Sequence, residues 1–406
     1  MLRERRWCTM AERKGYRLPN ELEELQLKFR GFNTKEILPI EEAMRVPYDA
    51  DRLDKEDHER LEKMTKCGGL WGPDVPREYG GLGLDSFSMC VISEEMAQHR
   101  AGLYAPGYGV YGVGIIALPF VIFGGTKEQI EKYALPSLKE CKMAFWGATE
   151  GGPGSDYASL KTQAVRNGDH YVINGVKWFA SGGLDADWGL ITCRVDGGDM
   201  SIFIIERGMP GVTILPQPGI RKAVAPAQII LDNVKVPREN LLGEEGKGSE
   251  IARTYFQKGR APYAARNVGV AVAANRFALG YSKKRIIFGK TLSERQAIQG
   301  MLVDSEMEIR AARWLVWEAA WATDRGEDAR VEVSMAKVFS SETLGRVVDR
   351  AVQICGGWGL DQAKGFPLER WYREARIRRI GEGPSEVHRF QTIARLMLKD
   401  GETGRK

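Results

Sequence analysis

The sequence predicts an α+β protein of more than one domain, in which two helical segments flank a β-rich segment. Residues 1–140 alternate charged and apolar stretches of helical length, residues 141–246 contain short β-branched and aromatic runs, and residues 247–406 return to helical patterning. Neither helical segment forms a complete domain alone. We therefore expect the two to pack together and the β segment to dock on them.

The composition is that of a globular protein. Of the 406 residues, 43% are hydrophobic and 28% are charged, and the net charge is +5. These values exclude a largely disordered or fibrous chain, and so small a positive charge does not by itself indicate nucleic-acid binding. The 6 cysteines form no CxxC pair and the 4 histidines show no ligand spacing, so the sequence predicts neither a metal site nor a disulfide framework.

The first segment is predicted to be a helical domain. Its most apolar stretch, residues 107–125, is near the length of a membrane span, but glycines and Pro119 favour a buried helix with a glycine-rich entry. No apolar region follows the basic N-terminus, so no signal peptide is predicted. We expect a prokaryotic cytoplasmic protein, with a mature organelle protein as the alternative.

The middle segment is predicted to be an antiparallel β domain. Asn167-Gly168 lies between two strand-like runs, which is the strongest short-range signal of a hairpin. Phe179 and Ser181 are two residues apart in a third run, so we expect them to face the same side of a strand. An aromatic ring beside a hydroxyl suits a flat heterocycle, although packing of Phe179 in the core is the commoner outcome.

A loop rich in glycine and proline precedes these strands. It runs from Thr149 to Ser155, and its hydroxyls and free backbone N–H groups suit an anionic or carbonyl-rich ligand. An ordinary surface turn is an equally good interpretation. No GxGxxG motif follows a strand and no Walker A motif occurs, so a Rossmann or P-loop nucleotide site is not predicted.

The last segment is predicted to be helical. Met307, Trp314, Trp317 and Trp321 recur on one helix face, which favours core or subunit packing over a ligand site. The glycine cluster at 356–359 is predicted to stop a helix, or to let the backbone approach a ligand closely.

Glu382 is the candidate catalytic residue. It lies between Gly381 and Gly383, so neighbouring side chains do not shield its carboxylate and unusual backbone angles are open to it. In an apolar cleft its pKa would rise and it would become a general base near neutral pH. A compatible alternative is the start of the last helix, with Pro384 at its first turn and a cap from the next two residues.

Taken together, these segments resemble the acyl-CoA dehydrogenase family, in the same order from about residue 25 to residue 398. The resemblance implies a helical N-terminal domain, a β-barrel-like middle domain and a C-terminal four-helix bundle around FAD, in a homotetramer. It also implies an acyl-CoA substrate, a trans-2-enoyl-CoA product and an electron-transfer flavoprotein as acceptor. The motifs that carry it are EYGGLG (78–83), ATEGGPGSD (148–156), YVINGVK (171–177), LGEEGKG (242–248), RIIFGK (285–290), QAIQ (296–299), QICGG (353–357) and EG (382–383).

The resemblance implies roles for individual residues. Glu382 matches the base that removes the α-proton, and the alternative base position of some members is Gly259 here. Matches to FAD contacts within one subunit are Trp146, Thr149, Ser155, Phe179, Ser181, Pro384, Ser385 and Glu386. Matches to contacts with the FAD of a neighbouring subunit are Arg285, Phe288, Gln296, Gln353 and Gly357. Matches to the substrate site are Ser155, Gln257, Arg260, Gly381 and Gly383.

Several positions depart from the family pattern. Phe179 stands where tryptophan is usual and Ser181 where threonine is usual, and both keep the chemistry. Gln257 replaces a frequent acid near the CoA site. Gly381 stands where tyrosine often precedes the base, which predicts a wider pocket for branched or cyclic acyl chains.

Other functions remain open at this stage. One is an oxygen-using relative, although Glu382 argues against the flavin monooxygenases and the chain length against the acyl-CoA oxidases. Another is a non-catalytic paralogue, which the intact Glu382 and the loop hydroxyls disfavour. A nucleic-acid binder is the outside alternative, because six arginines lie between residues 370 and 389. Solvation or pairing with acids explains those arginines more simply, and an anionic CoA or an acidic redox partner would also suit them.

Overall fold

The computed structural model describes residues 18–43, 53–67, 70–104, 117–140, 142–152, 154–217, 226–361 and 366–398. The first helical block ends at Glu140, a β-sheet extends from Ala144 to Pro237, and helices follow from Gly248. The predicted order of helical, β and helical segments is confirmed, while the domain limits at residues 140 and 246 stay predictions. Within the described ranges, no helix is both long and apolar enough to cross a membrane.

The first block is helical. Asp85 caps the helix Ser86–Met96, because its carboxylate accepts a hydrogen bond from the Ser88 backbone N–H. The apolar stretch at residues 107–125 is predicted to be a buried helix. Its part at Ala117–Gly124 is helical and largely buried, whereas residues 107–116 lie outside the described ranges. The helices are α1 (Asn20–Phe32), α2 (Leu38–Glu42), α3 (Lys55–Cys67), α4 (Ser86–Met96), α5 (Ala117–Gly124), α6 (Lys127–Gln129) and α7 (Leu135–Glu140), with π-helical turns at Asn33–Ile37 and Ile130–Ala134.

The middle block is a seven-stranded sheet. Its strands are β1 (Ala144–Gly147), β2 (Gln163–Asn167), β3 (His170–Ala180), β4 (Trp188–Val195), β5 (Met200–Glu206), β6 (Val212–Pro216) and β7 (Ala227–Pro237). The predicted hairpin at Asn167-Gly168 is confirmed, since β2 and β3 pair antiparallel around it. The sheet is not wholly antiparallel as predicted. Both β1 and β2 pair in parallel with β4, at residues 188–191 and 194–195 respectively, because they lie one after the other along the same edge of β4.

The last block contains four helices of eleven or more residues. They are α8 (Gly248–Ser282), α9 (Gln296–Asp324), α10 (Arg330–Cys355) and α11 (Leu368–Arg378), accompanied by the hairpin β8 (Ile286–Ile287) and β9 (Lys290–Thr291) and the short helices α12 (Ser385–Val387) and α13 (Arg395–Met397). The predicted helix stop is confirmed at Gly356, which has a φ of 61°. Of the predicted aromatic face on α9, Trp317 is buried, whereas Met307, Trp314 and Trp321 are exposed.

The three blocks share hydrophobic cores. One core joins Cys90 and Val91 of α4 to the apolar faces of α8, α9 and α10. A second joins Phe120 of α5 to Leu190 of the sheet and Ala252 of α8. The expected packing of the helical segments on each other and of the sheet on both is therefore confirmed. The packing in the second core also places one end of the sheet beside the first half of α8.

Candidate active site

Glu382 lies in a tight turn between α11 and α12. Its φ of 58° is left-handed, and the φ of Gly383 is 96°. Glu382 lines a cavity of about 560 Å³ together with residues of α4, α5, α8 and α9. Among the described residues, hydrogen bonds reach the main-chain carbonyl of Glu382 and none reaches its carboxylate. The carboxylate is therefore open to a ligand in the cavity.

The surroundings of Glu382 favour a usable base. Burial raises the pKa of its carboxyl, and the positive charges of Arg260, Arg378 and Lys337 partly counteract that effect. A carboxyl in such a position changes protonation closer to neutral pH than an ordinary glutamate does. Tyr157, whose own pKa burial and Glu382 raise to about 12, is also close.

The backbone of the turn is held by three cationic or imidazole side chains. The Glu382 carbonyl accepts hydrogen bonds from Arg260 Nε at 3.2 Å and from His388 Nε2 at 2.9 Å. The Gly383 carbonyl accepts one from Lys337 Nζ at 2.5 Å. Sequence reasoning found Arg260 and missed Lys337 and His388, because both lie in ordinary helical stretches and only the fold brings them to the turn.

A buried arginine packs beneath the turn. The Arg378 guanidinium lies 3.1 Å from the ring centroid of Tyr263 and donates from Nε to the Asn267 amide oxygen at 2.7 Å. A Cβ added at Gly381 would lie 3.2 Å from the Tyr263 hydroxyl. Tyr263 therefore occupies part of the space that the missing side chain at 381 leaves, so the extra room predicted from that glycine is smaller than the sequence alone suggests.

A second cavity, of about 200 Å³, lies between α8, α10 and the sheet. Trp146, Gln257 and Arg260 line it. The indole N–H of Trp146 is buried, and no acceptor among the described residues hydrogen-bonds to it. The Gln257 amide donates to the Glu327 carbonyl at 2.8 Å, so it is already engaged with the loop after α9. Three of the predicted site residues thus meet here, next to the turn of Glu382.

The glycine-rich loop leaves the sheet between β1 and β2. The Thr149 carbonyl accepts a hydrogen bond from the Trp178 N–H at 2.8 Å, which brings the loop beside the end of β3. The Ser155 side chain is exposed on the loop. The Glu150 carboxylate is buried and ion-paired with Lys177 at 2.7 Å. Sequence reasoning noticed both of these residues within motifs but did not single them out.

Phe179 differs from the expected geometry. Its φ is 57°, and the pairing of β3 with β7 shifts register between Lys177 and Ala180. Regular alternation therefore fails at this point, and Ser181 lies in a turn beyond the strand, so the prediction of a shared strand face is wrong. The Phe179 side chain is 50% exposed, which also excludes the alternative of core packing in this chain.

Five other predicted residues lie at the far end of the bundle. Arg285, Phe288, Gln296, Gln353 and Gly357 are all exposed there, and Phe288 is 93% exposed with a φ of 48°. The α8 helix carries the chain about 33 Å between Arg260 and its end at Ser282, at about 1.5 Å per residue. The structure therefore does not bring these five residues to Glu382 within one chain.

The segment after Glu382 starts a helix, but without the predicted cap. Pro384 is the N-cap of α12, and no side chain caps that helix. Proline offers no side-chain acceptor, the Ser385 side chain is buried, and Glu386 is exposed. The capping alternative is therefore wrong, since the turn is held from α8, α10 and α12 instead.

Acids pair with several of the C-terminal arginines. Arg370 pairs with Glu374 at 2.8 Å inside the protein, and Arg389 pairs with Glu342 at 2.7 Å. The simpler interpretation of this basic cluster, pairing with acids, is confirmed for these two arginines.

Gly383→Ala is expected to disturb the turn and to lower activity by more than tenfold. An added Cβ would lie 2.8 Å from His388 Nε2, at a φ of 96° that side chains rarely adopt. The matched control is Gly280→Ala in the last turn of α8, where nothing lies within 4 Å of the added atom, and where alanine is expected to raise stability by no more than about 0.5–1 kcal/mol. Thermal unfolding and turnover of both variants test this, and wild-type turnover of Gly383→Ala would contradict it.

The chain matches three family models in sequence order. The acyl-CoA dehydrogenase N-terminal domain matches residues 19–140, the middle domain matches residues 145–234, and the C-terminal domain matches residues 246–398.

Relatives and a solved structure agree with these matches. The 3-(aryl)acrylate reductase of Clostridium sporogenes is 35% identical, over 91% of this chain and 96% of its own. A subunit of the caffeyl-CoA reductase–Etf complex of Acetobacterium woodii is 36% identical, over 84% of this chain and 90% of its own. The acyl-CoA dehydrogenase of Bacillus anthracis, solved in complex with FAD, superposes with a TM-score of 0.81 at 30% identity, over 96% of this chain and 68% of that one. This chain therefore belongs to the acyl-CoA dehydrogenase family of FAD-dependent oxidoreductases.

Proposed function

We propose that this protein oxidises an acyl-CoA thioester to its trans-2-enoyl-CoA, with Glu382 as the base that removes the α-proton. One observation carries the proposal. Glu382 is held in a left-handed turn with its carboxylate unpartnered among the described residues and facing the larger cavity. A half-buried carboxylate in that position takes a proton from a ligand without first breaking an ion pair.

The turn supplies more than the carboxylate. The N–H of Glu382 makes no hydrogen bond to a described residue, so it is available to the thioester carbonyl. Such a donor, fixed before the reaction, stabilises the charge that develops on the carbonyl oxygen when the α-proton leaves. Arg260 and His388 donate hydrogen bonds to the carbonyl of Glu382, and these bonds hold the backbone that carries the Glu382 N–H.

Residues at the end of β3 and in the second cavity fit FAD. Phe179 presents a half-exposed ring at the end of β3, which a flat heterocycle can stack on, and its left-handed backbone is a strained conformation of the kind found at functional sites. Trp146 contributes a buried donor that lacks an acceptor among the described residues. We propose that Trp146, Thr149, Ser155, Phe179 and Ser181 hold the flavin, with Pro384, Ser385 and Glu386 at its adenosine portion. FAD supplies the acceptor for the hydride that leaves the β-carbon.

We also propose a homotetramer, in which the far end of the bundle binds the FAD of a neighbouring subunit. An exposed Phe288 and a left-handed backbone at that position have no evident use within one chain. The exposed Met307, Trp314 and Trp321 on α9 form an apolar face that self-association would cover. Sedimentation equilibrium of the purified protein tests the assembly, and a monomer that retains FAD would contradict it.

An electron-transfer flavoprotein is the proposed electron acceptor, and the bacterial cytoplasm is the proposed location. The name of the Acetobacterium woodii relative, which includes Etf, supports the first, and the bacterial relatives support the second. Two relatives are named reductases, which favours a second candidate function, the reduction of a 2-enoyl-CoA by the same residues in reverse.

The oxidised-flavin spectrum is expected to bleach when particular acyl-CoAs are added anaerobically to the protein loaded with FAD. The panel contains straight, branched and cyclic acyl chains, because Gly381 and Tyr263 together set the space beside the base. A reduced enzyme that 2-enoyl-CoA reoxidises establishes the reverse reaction as well. A flavin that no thioester bleaches would move the function to other flavin chemistry, and a chain that does not bind FAD would favour a non-catalytic paralogue.

A further inference from the structure

Lys337 is a buried cation without an acidic partner. It lies in α10 with its side chain fully buried, and within the described ranges its ammonium group forms no ion pair with a carboxylate. Its one hydrogen bond there goes to the Gly383 carbonyl at 2.5 Å. Burying an unpaired ammonium costs free energy that an apolar side chain would not. We therefore expect Lys337 to have a role other than packing.

The same helix contacts the turn a second time. Ser334 lies one helical turn before Lys337, and its Oγ is 3.0 Å from His388 Nδ1. The Glu382 carbonyl can only accept, so His388 Nε2 carries the proton and donates to it at 2.9 Å. Burial lowers the pKa of His388 to about 4, so the ring is neutral and Nδ1 accepts from the serine hydroxyl. Helix α10 thus holds both carbonyls of the turn, one directly and one through His388.

We propose that Lys337 is a positioning residue for Glu382, which fixes the left-handed turn from α10 and whose positive charge keeps the carboxylate ionised for proton abstraction. The proposal rests on the role of Glu382 as the base. Neither the family models nor the names of the relatives assign any role to this lysine. Its influence acts through the backbone and through the electric field, since the hydrogen bond ends on Gly383 and not on the carboxylate.

The charges around Lys337 make its proton labile. Burial, Arg378 and Arg260 lower its pKa to about 7, while Glu382 and Glu386 oppose that shift. His388 and Tyr157, which also lie close to Glu382, are both neutral near pH 7. Lys337 and Glu382 therefore shift each other's titration, and the larger effects of Arg260 and Arg378 act on Glu382 as well. An arginine at 337 would keep its charge throughout, and a methionine would have none.

Lys337→Met and Lys337→Arg in the full chain loaded with FAD test the proposal. Without the lysine charge, the pKa of Glu382 rises further, so the rate of flavin reduction should reach its plateau at higher pH. We expect at least a tenfold loss of that rate at neutral pH and a smaller change in KM. Lys337→Arg should restore the wild-type acid limb. The control is Lys132→Met, which removes an exposed partner of Glu206 and should change neither value.

An infrared titration of the protonated carboxyl band gives a readout that needs no turnover. The Glu382 band is identified by its loss in Glu382→Gln. We expect a higher midpoint in Lys337→Met, and in Lys337→Arg a midpoint no higher than that of the wild type. A folded Lys337→Met protein with the wild-type midpoint would overturn the proposal. Should Lys337→Met not fold, a higher midpoint in Lys337→Arg than in the wild type would overturn it equally. If no acyl-CoA reduces the flavin, the proposed function fails while this titration still decides the coupling.

Discussion

Glu382→Gln is expected to abolish reduction of the flavin by acyl-CoA while FAD stays bound. Glutamine keeps the shape of the side chain but cannot take a proton, and a general base contributes on the order of 10²–10⁴ to the rate. We expect a loss of about 10³-fold or more in the single-turnover rate, measured by anaerobic stopped-flow absorption. The turn itself should survive, because Arg260, His388 and Lys337 bind its carbonyl oxygens and not the carboxylate.

The same substitution at an exposed position gives the control. Glu59 on α3 is 63% exposed and pairs only loosely with Lys55, at 3.8 Å, so Glu59→Gln should reduce the flavin at the wild-type rate. A Glu382→Gln protein that still turns over near the wild-type rate would move the base to another residue. A variant that loses FAD would instead show that the carboxylate helps to build the flavin site.

The sequence predicts the parts of this site that depend on local chemistry. Glu382 is recognisable because two glycines flank it, and the hairpin at Asn167-Gly168 because that dipeptide favours one turn. The order of helical and β segments follows from hydrophobic periodicity, which each segment carries within itself. Each of these predictions concerns residues that are close in the chain.

The features that sequence reasoning missed depend on contacts between distant segments. Lys337 lies 46 residues before the carbonyl that it binds, and nothing in its own helix distinguishes it from a core position. The parallel pairing of β1 with β4 joins segments separated by the whole of the hairpin, so no local pattern encodes it. The left-handed conformation of Phe179 follows from a shift in register against β7, which the alternation of residues does not reveal.

The glycine-rich loop is also held by a contact between distant segments, the ion pair of Glu150 with Lys177. The variant Lys177→Met tests how much this ion pair contributes to stability. The Glu150 carboxylate accepts hydrogen bonds from Lys177 Nζ at 2.7 Å, from the Lys161 N–H at 2.7 Å, and from the N–H and hydroxyl of Thr162 at 3.0 and 2.6 Å. One buried carboxylate therefore ties the beginning of the loop to its end and to β3. Because Thr149 and Ser155 lie within this loop, its closure places the hydroxyls that we propose for flavin binding.

Lys177→Met is expected to destabilise the protein by about 3–5 kcal/mol, the usual cost of leaving one member of a buried ion pair uncompensated. The three remaining hydrogen bonds to Glu150 place the expected value toward the lower end. Adding Glu150→Gln should restore part of the loss, because the double variant buries no unpaired charge. The matched control is Lys142→Met, whose exposed pair with Glu140 should contribute less than about 1 kcal/mol.

The pH dependence of stability gives a second test of the same ion pair. Burial opposes the charge of Glu150, but the hydrogen bonds from Lys177, Thr162 and the Lys161 N–H outweigh it and lower the pKa of the carboxyl to about 2. A group whose pKa falls on folding stabilises the protein above its unfolded pKa, and that stability disappears as the pH drops toward the folded value. The difference in unfolding free energy between wild type and Lys177→Met should therefore be constant above about pH 5 and shrink as the pH falls toward about 2. A difference that stays constant across this range would show that Lys177 acts through packing and not through its charge.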